Sequence, residues 1–264
     1  MTIRSALFVP CDNARAMDKA RLLEPDALIF DLEDAVAPEA RDRALAALAG
    51  VIGMGGLKTQ AVLVRIHPAS LNAIHYALAG MAIDGIVVPK VNGPGDLRAV
   101  AHVWPGMPLW AMIETARGVA NLAGIAAEPL AGLIAGPNDL RKDLRARFLP
   151  DRAEIAFALS QIVLHGRVNE LVVLDGVFNA FRDDAGFAAD CAHGRALGFD
   201  GKTLIHPSQI EPCHRTFSPS DAEIAWARSV VDAFDGSSAA ILPINGEMVE
   251  RLHLAQAEAI LAEI

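Results

Sequence analysis

The feature that most restricts this chain is an alternation repeated from end to end. Eight short apolar runs, ALFVP (6–10), ALIFDLE (27–33), AVLVRIH (61–67), GIVVPKV (85–91), PLWAMIET (108–115), LAGLIAGP (130–137), LVVLDGVF (171–178) and GKTLIHP (201–207), are separated by stretches that mostly carry helical patterns. Each run is nearly continuous in Val, Ile, Leu and Ala, as strands buried on both faces are. Strands joined by helices run parallel, and eight such units close into an α/β fold of the (β/α)₈ TIM-barrel kind. A length of 264 residues suits that fold, which takes roughly 250. A doubly wound open sheet is the alternative. It usually has fewer strands, and no G-x-G-x-x-G follows the first run.

Amphipathic helices are expected at 13–24, with Asn13 as N-cap, at 38–52, with Pro38 in the first turn, and at 96–104, 152–166 and 187–197. A helix interrupted by glycine is expected at 116–126. Beyond the eighth run the chain continues as a helix at 220–234, a small-residue and glycine stretch at 235–248, and a last helix at 249–264. The division expected is a barrel over 1–234 and a C-terminal helical extension over 235–264, acting as a lid or as an arm reaching a neighbouring subunit.

Composition narrows the partners. The formal net charge is −9 at pH 7, which disfavours nucleic acid and anionic membranes because both need a basic face. No apolar run reaches the roughly 18 residues of a membrane span. The opening MTIRSALFVP passes directly into a strand-like run without a secretory signal pattern. Cys11, Cys191 and Cys213 are odd in number and lack metal-type spacing, which fits a reduced, cytoplasmic setting.

In this fold catalytic groups stand at the carboxyl ends of strands. Polar residues fall there in most units: Asp31, Glu33 and Asp34, then Arg65 and His67, Lys90, Glu114, Asn138 and Asp139, and finally Asp175 and His206. Glu114 and Asp139, on adjacent units, suit one hard cation, since Mg²⁺ takes one or two protein carboxylates and completes its shell with water and substrate oxygens. The competing reading makes Glu114 the cap of the helix beginning at Thr115 and pairs Asp139 with Arg141 or Lys142. Arg65 suits a bidentate grip on a carboxylate, or a salt bridge to Glu33 or Asp31. Lys90 suits charge balance among acidic neighbours better than Schiff-base chemistry. His67 and His206, each before a proline, read as structural, and Cys11 as a bystander.

Taken together, the segments RSALFVP (4–10), IFDLEDAVAPEAR (29–41), VRIH (64–67), GIVVPKV (85–91), IETARGV (113–119), GLIAGPNDL (132–140) and GFDGKTLIHPSQI (198–210) resemble the citrate lyase beta-subunit-like proteins, within the HpcH/HpaI aldolase/citrate lyase family. The resemblance implies that Glu114 and Asp139 are Mg²⁺ ligands and that Arg65 binds the carboxylate of an α-keto acid such as oxaloacetate or glyoxylate. It implies that Glu33 and Asp34 support the metal's water shell and that Lys90 balances charge. The Arg4–Pro10 segment and the loop that follows it would border a CoA channel, and the assembly would be a trimer or a hexamer built from trimers. Leu32-Glu33-Asp34 lacks the Glu-His pair of the pyruvate aldolases, which favours the CoA-thioester branch. Cys11 replaces a usual glycine, and Glu250 stands where related lyases carry an aspartate as acid/base. The implied activity is Mg²⁺-dependent carbon–carbon cleavage, or formation, of a β-hydroxyacyl-CoA such as citryl-, citramalyl- or malyl-CoA. The alternatives are a CoA-independent pyruvate or oxaloacetate aldolase, a thioesterase or malate-synthase-like activity at the same site, and a citrate lyase subunit active only with a carrier protein.

Overall fold

The computed structural model describes residues 2–34 and 36–264. Ala35, inside the DLEDAV segment, lies outside the described residues. All eight expected strands form: β1 Ser5–Pro10, β2 Ala27–Asp31, β3 Ala61–Arg65, β4 Gly85–Val88, β5 Leu109–Ile113, β6 Gly132–Ala135, β7 Val172–Asp175 and β8 Gly201–Leu204. They pair in parallel in chain order, and β8 returns to β1, so the sheet is a closed barrel. Closure leaves no strand edge exposed.

The barrel interior is filled by residues two apart on their strands: Ala6 and Phe8, Ala27 and Ile29, Ala61 and Leu63, Trp110 and Met112, with Val87, Ile134 and Leu174. Alternate residues of a strand face opposite sides, so the intervening positions meet the helices. Those helices are α1 Ala14–Ala20, α2 Arg41–Met54, α3 Leu71–Leu78, α4 Pro94–Val103, α5 Ala116–Ala120, α6 Leu122–Ala126, α7 Pro137–Leu144, α8 Ala156–Val168, α9 Asp184–Leu197 and α10 Ile210–Phe217. The helix expected over 116–126 is split at Asn121, whose φ of −104° and ψ of 10° leave the helical region. The helix expected from Arg152 begins only at Ala156, because Arg152 takes a left-handed φ of 59°.

Residues Ile3–Arg215 form one compact unit and Thr216–Ile264 a second. In the second, α11 Asp221–Phe234 and α12 Arg251–Leu261 enclose Ala227, Val230, Phe234 and Ala257 with Ile244 and Val249 of a hairpin, β9 Ile241–Ile244 and β10 Glu247–Glu250. The helix at 221–234 therefore clusters with the tail. The hairpin stands in the stretch expected to be irregular. Its two-residue turn is Asn245-Gly246 at φ 51° and 86°, the left-handed pair that this kind of connection requires. Among the described residues no helix is long and apolar enough to cross a membrane.

Candidate active site

The carboxyl ends of the strands open into a cavity of about 530 Å³, lined in part by Asp31, Asp34, Arg65, Glu114, Asn138 and Asp139. Strand register explains the contacts. Asp31 and Arg65 are partners across β2 and β3, so their side chains lie side by side. Arg65 Nε donates to Asp31 Oδ1 at 2.7 Å and Nη2 to Oδ2 at 2.6 Å. Its remaining nitrogen, Nη1, faces Glu33 Oε2 at 3.2 Å. The guanidinium also lies over the Phe8 ring, 4.9 Å from the centroid. Both salt bridges that the sequence offers for Arg65 are thus present, the one to Asp31 along one edge of the fork and the one to Glu33 at Nη1.

Lys90 closes the other side. Its left-handed backbone, φ 50°, points the amide N–H at Glu114 Oε1, 2.7 Å away. Its Nζ donates to Glu33 Oε1 at 2.5 Å and to Asp34 Oδ1 and Oδ2 at 2.9 and 3.0 Å, and lies 4.0 Å from Asp139 Oδ2. Glu33, Asp34, Lys90, Arg65, Glu114 and Asp139 are therefore one neighbourhood.

Glu114 follows β5, whose Ile113 pairs with Ala135 of β6, so the next residue, Gly136, stands against the carboxylate. A Cβ on Gly136 would fall 2.3 Å from Glu114 Cβ, so only glycine fits there. Glu114 does not cap the following helix: the Thr115 hydroxyl accepts from Gly118 N. Nor does Asp139 pair with Arg141, which binds Glu154. Asp139 sits in the first turn of α7, where the helix dipole favours a carboxylate.

The electrostatics are those of a site short of positive charge. Among the described residues, Asp31, Glu33, Asp34, Glu114 and Asp139 share the mouth with two cations, Arg65 and Lys90. Burial, reinforced by the charges of Glu33 and Asp139, pushes the Glu114 carboxyl up to about 7, against the Lys90 N–H and Arg65, which favour ionisation. Burial also raises Glu33. Burial opposes ionisation at Asp34 as well, but hydrogen bonds that its carboxylate accepts from Lys90 and from Glu33 outweigh it and hold that carboxyl below the usual range. Among the described residues no group of three or more His, Cys, Asp or Glu side chains forms a closed metal cage. Two hard oxygen donors with room for water and substrate fit Mg²⁺ rather than zinc.

One residue of the expected ring stands elsewhere, and two more form turns. Asp175 is fully buried in the helix layer, because its register partner Lys202 also faces outward while Thr203 faces the cavity. Lys202 Nζ donates to Asp175 Oδ2 at 2.9 Å and meets Asp190 Oδ2 at 2.5 Å, and Arg152 Nη1 chelates Asp175 at 2.9 and 2.8 Å. His206 binds Ser208, and His67 binds Arg41 and Ala69 N. Both are structural turns. Cys11 is buried, and burial pushes its thiol up, which makes it inert. Glu250 ends β10 in the second unit, where its N–H donates to His253 Nδ1. Asn179 carries no signal in the sequence. It lines the cavity from the loop after β7, and only the closed barrel brings that loop beside Asn138. A second cavity of about 350 Å³ adjoins the first at Phe8, Pro10 and Ile205 and carries Asn13, Arg15 and Lys19 of the first loop and α1.

The chain is similar to known proteins over nearly its whole length. Residues 4–207 match the HpcH/HpaI aldolase/citrate lyase family. A (3S)-malyl-CoA thioesterase of Cereibacter sphaeroides is 42% identical over 98% of this chain and 94% of its own length. The structure of CitE from Mycobacterium tuberculosis in complex with magnesium, acetoacetate and coenzyme A superposes with a TM-score of 0.85 at 29% identity, covering 99% of this chain and 98% of that one. The citrate lyase beta subunit from the same organism, complexed with oxaloacetate and magnesium, gives 0.72 at 29% identity over 83% and 98%. The chain belongs to the HpcH/HpaI aldolase/citrate lyase family.

Proposed function

We propose that the barrel mouth is a Mg²⁺ site acting on a β-hydroxyacyl-CoA thioester of a small dicarboxylic or tricarboxylic acid, cleaving or forming the carbon–carbon bond between an α-keto acid and an acyl-CoA. The observation that carries it is the surplus of carboxylates at the mouth, centred on Glu114 and Asp139. These two would hold the metal, with water and substrate oxygens completing its shell. The metal would supply Lewis acidity and a template for the hydroxyl and its adjacent carboxylate.

The chain's own residues do the rest. Asp31 fixes Arg65 by one edge, so the guanidinium is set before the substrate acid arrives. Glu33 and Asp34 accept from Lys90, which keeps the ammonium charged and favours ionisation of the carboxylates beside the water shell. Arg15 and Lys19 suit the phosphates of CoA, and the shared wall of Phe8, Pro10 and Ile205 gives its acyl arm a route to the mouth. Glu250 of a neighbouring subunit is the proposed proton carrier, in a trimer or a hexamer of trimers. Buried free thiols at Cys11, Cys191 and Cys213 suit a reduced cytoplasmic setting.

Thioester hydrolysis is the second reading, favoured by the thioesterase relative at 42% identity. Malyl-CoA separates the two: cleavage releases glyoxylate and acetyl-CoA, and hydrolysis releases malate and free CoA. Turnover of free 4-hydroxy-2-keto acids instead would move the assignment to a CoA-independent aldolase. For the metal, Glu114→Ala and Asp139→Ala should each abolish calorimetric binding of Mg²⁺ and of oxaloacetate. Unchanged binding of both would remove the assignment.

A further inference from the structure

Either reaction above builds negative charge on the thioester carbonyl oxygen. In cleavage the electron pair of the breaking carbon–carbon bond moves into the acyl fragment as an enolate, the hydroxyl gives up one proton, and the enolate carbon takes one back. In hydrolysis the water oxygen adds to the carbonyl, and the oxyanion collapses to expel the thiol. Both need hydrogen-bond donors aimed at that oxygen.

The side-chain donors lining the cavity are few. Arg65 has its Nε and Nη2 on Asp31 and its Nη1 toward Glu33. The Thr203 hydroxyl donates to the Asp175 carbonyl at 3.1 Å. Asn138 and Asn179 differ. They form a reciprocal pair across the mouth, Asn138 Nδ2 donating to Asn179 Oδ1 at 3.2 Å and Asn179 Nδ2 to Asn138 Oδ1 at 2.9 Å. Each amide nitrogen carries two N–H groups and the pair uses one of each, which leaves one N–H on each residue.

The pair is held in place. Asn138 stands in the first turn of α7, at the positive end of that helix. The Asn179 loop is anchored on both flanks, by Gln209 Nε2 donating to the Phe178 carbonyl at 3.0 Å and by Phe181 stacked on His206 at 4.6 Å. Donors fixed before the charge forms avoid reorganisation during the reaction.

We propose that Asn179, held in place by Asn138, donates its second N–H group to the thioester carbonyl oxygen and stabilises the charge it acquires. This rests on the thioester reading of the preceding section. Two substitutions separate donation from mere bridging. Asn179→Asp keeps an acceptor for Asn138, so that one of the two bridging hydrogen bonds survives while the donor is lost. Asn179→Ser keeps a donor and loses the reciprocal bridge. With malyl-CoA and Mg²⁺, the Asp variant should lose about 10²-fold or more in kcat, and the Ser variant should stay within about tenfold of the parent. A Ser variant as impaired as the Asp variant, or an Asp variant at parental kcat, would overturn the proposal. Infrared spectra of bound acetyl-CoA provide a readout without turnover. The thioester carbonyl stretch should fall to lower frequency on the parent protein and return toward its solution value on Asn179→Asp. Bound acetyl-CoA with no such displacement sinks the donor role. Failure of the parent both to bind acetyl-CoA and to turn over any CoA thioester sinks the thioester reading itself.

Discussion

Behind β7 and β8, Asp175 and Asp190 meet Lys202 and Arg152. At the mouth, Asp31, Glu33, Asp34, Glu114 and Asp139 meet Arg65 and Lys90. The first cluster is sealed and balanced, two charges of each sign, with Lys202 and Asp175 wholly buried. Its opposite charges hold Asp175 below the usual carboxylate range despite its burial. The second is open and unbalanced, and its central carboxyl, Glu114, is pushed up. Buried ion pairs with every partner present are structural in the first instance. A surplus of carboxylates is unfavourable until a cation arrives, and this separates a brace from a binding site more cleanly than the number of charges in either.

The largest effect should come from breaking the sealed cluster. Lys202→Met leaves Asp175 and Asp190 buried with one cation between them, and removal of one partner from a buried pair costs about 3–5 kcal/mol. Chemical denaturation should show that loss, with Mg²⁺ affinity of the folded fraction unchanged. A variant as stable as the parent would mean that the balance at Asp175 is not what holds β7, β8 and α9 together.

Each cluster also has a glycine pressed against its central carboxylate. A Cβ on Gly136 would lie 2.3 Å from Glu114 Cβ, and one on Gly194 would lie 2.5 Å from Asp175 Oδ2. Gly194→Ala should destabilise the fold by about 1–3 kcal/mol, the usual cost of overfilling a core, and spare Mg²⁺ binding. Gly136→Ala should displace Glu114 and weaken Mg²⁺ by about tenfold or more, a change of about 1.4 kcal/mol, with a smaller change in melting temperature. The same pattern of losses in both variants would erase the distinction between the regions.

The pH dependences should run in opposite directions. Glu114 in the folded protein binds a proton more tightly than in the unfolded chain, from its ordinary 4.5 up to about 7. Its contribution is present below pH 4.5 and is lost as pH rises through about 7. Asp175 is depressed, so its contribution is present above its ordinary value and is lost as pH falls through its lowered one. Metal-free protein should therefore lose stability between about pH 5 and about 7.5 relative to Glu114→Gln. On the proposed assignment of Glu114 as a ligand, Mg²⁺ displaces its proton, so Mg²⁺ affinity should fall by about tenfold per pH unit below about 7. Affinity flat from about pH 5 to about 8 would show that Glu114 is ionised throughout and that the surplus of charge is relieved some other way.

Much of the mouth is legible in the sequence because charged residues interrupt apolar strand ends, and strand ends are where this fold concentrates its chemistry. Arg65, Lys90, Glu114 and Asp139 stand out on that ground alone. The sealed cluster is not legible. Asp175 also ends an apolar strand, and which face it takes depends on register, where one residue reverses the side. Arg152 reads as the first residue of a helix, and its left-handed backbone depends on contacts that no local pattern encodes. Helix α7 gives little apolar signal, because PNDLRKDL is polar almost throughout and buries only Pro137 and Leu140. The β9–β10 hairpin does have a local signal, Asn245-Gly246 between two short runs that carry apolar residues, but the stronger helical pattern that follows masks it.

The smallest effect expected is also the sharpest test of the comparison, because it reverses the usual consequence of deleting an ion-pair partner. Lys90 Nζ lies among Glu33, Asp34 and Asp139, the region where a divalent cation would add its charge. Its side chain is 40% exposed, whereas Lys202 is fully buried, so water screens its pairs and their loss should cost at most about 1 kcal/mol of stability. Removing the ammonium leaves the carboxylates more negative. Lys90→Met should therefore bind Mg²⁺ more tightly, by up to about tenfold at low salt, with the gain shrinking as ionic strength rises and the Debye length falls to about 8 Å near 0.15 M. If Mg²⁺ instead binds more weakly and the protein melts several degrees lower, Lys90 braces its carboxylates as Lys202 does, and the mouth and the sealed cluster follow one rule.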